Sequence, residues 1–194
     1  MTLPHPASPA PGSDPGPAPA IRLAVPEGLI TDPAAIFDAG AVQASIAGAA
    51  ETSADNAALR TETVRILRAA NTAGRAAIAE AFAAQPFAAR ALTRSYTWLT
   101  DALVTTALDV ARERLHPLPS PTAAERIALI AVGGYGRGEM APFSDVDLLF
   151  VTPYKITAWA ESVIESMLYM LWDLKLKVGH ASRTIRDCVR LGTE

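Results

Sequence analysis

The spacing of apolar residues changes character twice along this chain. Between Ala54 and Leu115 it follows a helical period. Leu59, Ile66, Leu67, Ala70, Ala73, Ala77 and Ala81 share one face, with Arg60, Glu62, Arg65, Arg68 and Arg75 mostly elsewhere. Gln85 and Pro86 interrupt the run, because a residue before proline avoids helical torsions. A second helix carries Phe87, Leu92, Trp98, Leu99, Leu103, Val110 and Leu115, until Pro117, Pro119 and Pro121 end it. The pattern predicts a helical hairpin packed against the next region, with its arginines forming a solvated face.

Past the prolines the apolar runs shorten. Thr122 and Glu125 have the spacing of a capping box. Ile127 to Val132 is short, branched and apolar, which predicts a strand buried on both faces. A second strand is expected near Val146 to Val151, a helix from about Thr157 to Leu174, and a third strand near Leu176 to Ala181. Thr184 to Leu191 reads as a helix start, with Asp187 in capping-box position. Ile21 to Ala50 is ambiguous, apart from a helix start at Thr31-Asp32-Pro33. Residues 1–20 are dominated by proline, alanine, glycine and serine and predict a disordered tail. The expected organisation is therefore a tail (1–20), a helical N-terminal region (21–118) and an α/β (α+β) domain (122–194) that stops in mid-domain.

Composition narrows the function classes. Half of the 194 residues are hydrophobic, enough for a sizeable core, and the formal net charge of -3 supplies no general grip on polyanions. Nucleic acid is not an expected partner. A lone cysteine, Cys188, leaves no intramolecular disulfide and no cysteine zinc cluster, and it reads as a small buried apolar group. No stretch has the length and apolarity of a membrane span, and the N-terminus lacks secretory features. A soluble, cytoplasmic protein with no membrane partner is the expectation.

The chemistry concentrates in Gly133 to Phe150, GGYGRGEMAPFSDVDLLF. Glycines after a strand let backbone amides approach an anion closely, and Arg137 adds a guanidinium suited to phosphate oxygens. The Walker pattern fails, because Gly138 is followed by Glu139 and Met140. A nominal dinucleotide fingerprint at Gly136 to Ala141 fails too, since Pro142 and a new strand arrive before a crossover helix fits. Asp145 and Asp147 are two residues apart, so on a strand both carboxylates face one way while Val146, Leu148 and Phe150 face the other. Like charges held together call for a proton or a cation, and Mg2+ takes one or two carboxylates together with substrate phosphates.

Ala131 to Glu139 (AVGGYGRGE), Ser144 to Leu149 (SDVDLL) and Leu171 to Thr184 (LWDLKLKVGHASRT) resemble the bacterial PII uridylyltransferase/uridylyl-removing family, within the nucleotidyltransferase superfamily of DNA polymerase beta type. The resemblance covers about Arg126 to the C-terminus in detail. It implies a nucleotidyltransferase-type mixed sheet with flanking helices, and transfer of UMP from UTP to a tyrosine of the PII signalling protein. Gly133, Gly134, Arg137 and Ser144 would contact the nucleotide, and Asp145 and Asp147 would bind Mg2+ and serve catalysis. Many superfamily members bring a third carboxylate from a later strand, yet Leu176 to Ser182 contains no acid. The family's phosphohydrolase domain needs a His-Asp pair. His5, His116 and His180 include none, so uridylyl removal is not expected from this stretch. His180 has two readings, a group near the metal strand or a hydrogen-bonded strand-end histidine. Arg183 is likewise either a triphosphate contact or a surface cation. Asp173 ends a helix, and Trp172 and Met167 read as core. A glutamine-synthetase-type adenylyltransferase and a non-catalytic nucleotide-binding module are the alternative functions.

Overall fold

A computed structural model describes residues 23–193. The predicted tail, with Ile21 and Arg22, lies outside the described residues. Four helices come first: α1 (Pro33–Ile36), α2 (Ala39–Thr52), α3 (Asn56–Ala84) and α4 (Ala89–Val110). Aspartates start three of them. Asp32, Asp38 and Asp55 accept from the backbone N–H of Ala34, Ala41 and Ala58 at 2.7, 2.9 and 2.8 Å. Pro33 occupies the first position of α1, where a missing N–H costs nothing. From Leu23 on, the ambiguous stretch up to Ala50 resolves into a non-helical lead followed by α1 and most of α2.

Helices α3 and α4 form the expected hairpin, broken at Gln85-Pro86, and most of its predicted faces are buried, Leu59, Ile66 and Leu67 on α3 and Trp98, Leu99, Leu103 and Val110 on α4, with two departures. In α3, Leu67 and Ile78 are fully buried while Ala73 is exposed. Phe87 precedes α4 and is 99% exposed, so it is not part of that helix's apolar face. Leu99, Leu103, Ala107 and Leu108 are the buried ridge of α4. The chain then makes a π-turn, Ala111–Leu115, closed by the His116 N–H on the Ala111 carbonyl at 3.0 Å.

A capping box at Thr122 and Glu125 does form, around a single 3-10 turn. After it come β1 (Ala128–Ala131), a helical turn α5 (Gly133–Gly136), β2 (Val146–Thr152), α6 (Ala158–Asp173), β3 (Val178–Thr184) and α7 (Ile185–Leu191). The sheet has order β1-β2-β3, with β1 antiparallel and β3 parallel to β2. Helix α6 makes the crossover that a parallel pair requires.

Three expectations need correction here. Strand β1 is an edge strand, not one buried on both faces: Leu129 and Ala131 are half-buried, whereas Ile130 is 43% exposed. Strand β3 starts at Val178 instead of Leu176, because Lys175 takes a left-handed φ of 64° and holds the chain in a turn. The arginines of α3 are not simply a solvated face. Arg68 donates to the Asp173 carbonyl at the end of α6 (2.7 Å), and Arg75 donates to the Pro142 carbonyl (2.7 Å). The Arg75 guanidinium also lies over the rings of Tyr96 (5.2 Å) and Phe143 (5.6 Å).

One face of the sheet is sealed. Val146, Leu148, Phe150 and Thr152 alternate inward along β2 and are buried. Val146, Leu148 and Phe150 belong to the same apolar cluster as Met167, Met170 and Leu171 of α6 and Leu99 and Leu103 of α4. Two bonds reinforce that contact. Trp159 Nε1 donates to the His116 carbonyl, and the His116 ring meets the Ser166 hydroxyl, both at 2.8 Å. Met167 is core as expected. Trp172 is not: it is 41% exposed and sits edge-on to His180, with centroids 6.1 Å apart. Cys188 is half-buried, since α7 has no fully buried residue.

Candidate functional site

The open face of the same strand carries the charged chemistry. Asp147 alternates with buried Val146 and Leu148 and is half-buried, and Asp145, two residues earlier, is exposed. The Val146 N–H bonds the Lys177 carbonyl at 2.7 Å and Val146 pairs with Val178, so backbone register sets Lys177 beside Asp145. Sequence reading could not find that neighbour, because the pairing of β2 with β3 is not written in either strand alone.

Asp147 occupies a slot made by two glycines. A Cβ built on Gly133 would lie 2.8 Å from Asp147 Oδ2, and one on Gly179 would lie 2.6 Å from Oδ1. Real side-chain carbons do not approach oxygen so closely, so both positions must lack one for the carboxylate to stand as it does. Gly133 also has φ +62°, a left-handed value that glycine adopts without strain. Gly179 is the register partner of Asp147 across the parallel pair. The Val132 N–H bonds the Asp147 carbonyl at 3.0 Å, fixing the start of the glycine turn to the same residue.

The turn is closed by its own groups. Gly136, Gly138 and Glu139 N–H donate to the carbonyls of Val132, Tyr135 and Gly134 at 2.9, 3.0 and 3.0 Å. Arg137 folds back over it: Nε meets Glu139 Oε2 at 2.9 Å and Nη1 donates to the Gly133 carbonyl at 3.0 Å. Two of the three guanidinium nitrogens thus brace the turn, while Nη2 lies above Gly134, 3.9 Å from where a Cβ would stand. Ser144 has a comparable local part. Its hydroxyl oxygen accepts from the Ala141 N–H at 2.8 Å and its N–H donates to the Ala141 carbonyl at 3.1 Å, which closes the loop leading into Asp145.

Two residues of this assembly escaped the sequence. Tyr135 is buried in the middle of the turn, and its hydroxyl donates to Asp101 Oδ1 of α4 at 2.7 Å. Burial pushes the Asp101 carboxyl above the ordinary aspartate range, partly offset by the tyrosine's hydrogen bond. Burial, then the nearby carboxylate, pushes the Tyr135 phenol well up, so it stays a protonated donor. The available signal was Asp101 itself, an acid between buried Thr100 and Ala102 on the packed stretch of an amphipathic helix.

The donor set suits magnesium. Asp145 and Asp147 offer hard carboxylate oxygens two residues apart, Asp145 exposed just before β2 and Asp147 in a slot that excludes side-chain carbon. Among the described residues no group of three or more His, Cys, Asp or Glu gathers as a metal cage, so further ligands would come from substrate oxygens and water. His180 and Arg183 stand on β3 opposite Leu148 and Val151. The register puts Arg183 on the side of Asp147, while His180 lies on the α6 side against Trp172.

A three-stranded mixed sheet, helices on one face, and a glycine turn leading to a D-x-D strand on the other define a nucleotidyltransferase-type domain. Comparison with known proteins agrees. Residues 27–172 match the family model described as glutamate-ammonia ligase adenylyltransferase, and the chain belongs to that nucleotidyltransferase family. Among curated proteins, the chain is 70% identical over 159 residues to the bifunctional uridylyltransferase/uridylyl-removing enzyme of Ruegeria pomeroyi, covering 82% of this chain and 18% of that protein. It is 57% identical over 187 residues to the enzyme of the same name from Cereibacter sphaeroides, covering 95% of this chain and 20% of that one. The Novosphingobium aromaticivorans enzyme of that name is 44% identical over 162 residues, 84% of this chain and 18% of its own length. The chain thus spans about a fifth of these relatives. No solved structure matches. Among the described residues, no helix is long and apolar enough to cross a membrane.

Proposed function

We propose that the protein containing this chain transfers UMP from UTP to a tyrosine of the PII signalling protein in the cytoplasm, releasing pyrophosphate. The observation that carries the reading is the slot: Gly133 and Gly179 leave room for the Asp147 carboxylate at the head of the glycine turn. In the transfer, the acceptor tyrosine oxygen forms a bond to the α-phosphorus, the bond from that phosphorus to the bridging oxygen breaks, and pyrophosphate departs. Gly133 and Gly134 present backbone to the triphosphate, Arg137 Nη2 supplies positive charge beside it, and Ser144 holds the loop that aims Asp145. Asp145 and Asp147 hold Mg2+, which when bound neutralises phosphate charge and favours ionisation of the attacking hydroxyl. Positioning and charge neutralisation are most of what such a reaction asks of a protein.

The uridylyl choice is supported by the names of relatives at 57–70% identity. The family model's description favours a second reading, adenylyl transfer from ATP to a glutamine-synthetase-type acceptor. Labelled UTP and ATP, each offered to the full-length protein with purified PII and Mg2+, separate the two. We expect label from UTP on PII, reduced at least a hundredfold in Asp145→Asn and in Asp147→Asn. Undiminished labelling in both variants contradicts the site, and label from ATP alone contradicts the substrate.

A further inference from the structure

The glycine turn reaches helix α4 through one hydrogen bond. Gly133, Gly136 and Arg137 are exposed, yet Tyr135 between them is only 4% exposed. Its hydroxyl meets Asp101, 34 residues earlier in sequence. The other hydrogen bonds of Gly133 to Glu139 stay within the turn or go to Val132 at the end of β1. Across from this bond, Asp101, Arg137 and Gly138 share a cleft of about 440 Å³ with Arg94, Thr97 and Trp98 of α4. A shift of the turn away from α4 would therefore move both the Gly133 wall of the Asp147 slot and Arg137.

We propose that Asp101 is a positioning residue for nucleotide binding: by accepting the Tyr135 hydroxyl it fixes the glycine turn at the height where the turn meets the triphosphate. This rests on the nucleotide reading given above. A phenol-to-carboxylate bond in a partly buried place is among the stronger side-chain bonds, and among the described residues the turn makes no second hydrogen bond to α4.

Removing only the bond, with Tyr135→Phe or Asp101→Ala in the full-length protein, should raise the nucleotide KM about tenfold and change kcat less than about threefold. Asp101→Asn keeps an acceptor oxygen and should restore nearly the wild-type KM. The double variant Tyr135→Phe/Asp101→Ala should be no worse than either single, because both remove one interaction. Ile78→Val, in the core of α3, lowers thermal stability and should leave KM unmoved. An unchanged KM in Tyr135→Phe, or Asp101→Asn as impaired as Asp101→Ala, overturns the proposal. Asp147→Asn keeps the two claims apart. If it abolishes turnover while Tyr135→Phe keeps its KM, only the positioning role falls. If turnover survives it, the nucleotide reading falls and takes the positioning role with it.

Discussion

The two faces of β2 are built from alternate residues of one heptapeptide, yet they obey different rules. The face toward α6 holds Val146, Leu148 and Phe150 in a core shared with helices from both halves of the sequence. The other face holds half-buried Asp147, Leu149 and Val151, flanked by exposed Ile130 of β1. Stability depends on volume filled on the first face; on the second, two glycines keep volume empty around a carboxylate. The strand therefore serves as a wall between a scaffold and a site, and substitutions one residue apart should report on different properties.

The largest effect is expected on the sealed side. Phe150→Ala should cost about 3–5 kcal/mol of unfolding free energy, measured by urea denaturation, since the ring is fully buried. A loss below about 1 kcal/mol would mean that β2 is not the wall described here. Next comes Gly179→Ala. Its new carbon would meet only the tip of Asp147, which can swing away, so stability should change by less than about 1 kcal/mol. Transfer activity should nevertheless fall about a hundredfold, because the carboxylate loses its place. Equal losses of stability and activity would erase the contrast between the faces. On the exposed edge, Ile130→Thr should alter stability by no more than about 0.5 kcal/mol.

A smaller, pH-dependent difference separates the capped ends from the glycine turn. Hydrogen bonds from Thr184 hold the Asp187 carboxyl below its ordinary range, and those from Thr122 do the same for Glu125. Their contribution is present above the unfolded-state pKa and is lost as pH falls through the lower folded value. Asp101 has the opposite sign. Its raised pKa makes the folded state hold the proton longer, so its effect on stability becomes less favourable as pH rises from the ordinary aspartate value through the raised one. Melting temperatures of wild type and Asp101→Asn should accordingly diverge across that window, the wild type losing ground as pH rises. Parallel curves would show that the carboxyl is not perturbed by folding.

Much of the scaffold was legible in the sequence because it is written locally. The break at Gln85-Pro86, the capping boxes at Thr122 and Thr184, and α6 between Thr157 and Leu174 depend on residues a few positions apart. So does the outward place of Asp147 between buried Val146 and Leu148. What was missed is long-range. Arg68 and Arg75 look like ordinary helix-surface cations until α6 and the loop before β2 are folded against them. The Gly179 wall of the Asp147 slot exists only through the β2–β3 register, and the late start of β3 follows from the left-handed turn at Lys175. Asp101 and Tyr135 carry no shared local signal at all. Edge exposure of β1 was equally hidden, since an apolar run does not state how many strands will lie beside it.

The most direct measurement is calorimetric titration of UTP into the full-length protein, with Mg2+ and with excess EDTA, for wild type and Asp147→Asn. Wild type should bind at least about tenfold more tightly with Mg2+, and Asp147→Asn should lose that gain while keeping the wild-type melting temperature within a few degrees. Equal affinity with and without the metal, or a variant that retains the full magnesium gain, would contradict the assignment of Asp147 as the carboxylate that joins the metal to the nucleotide.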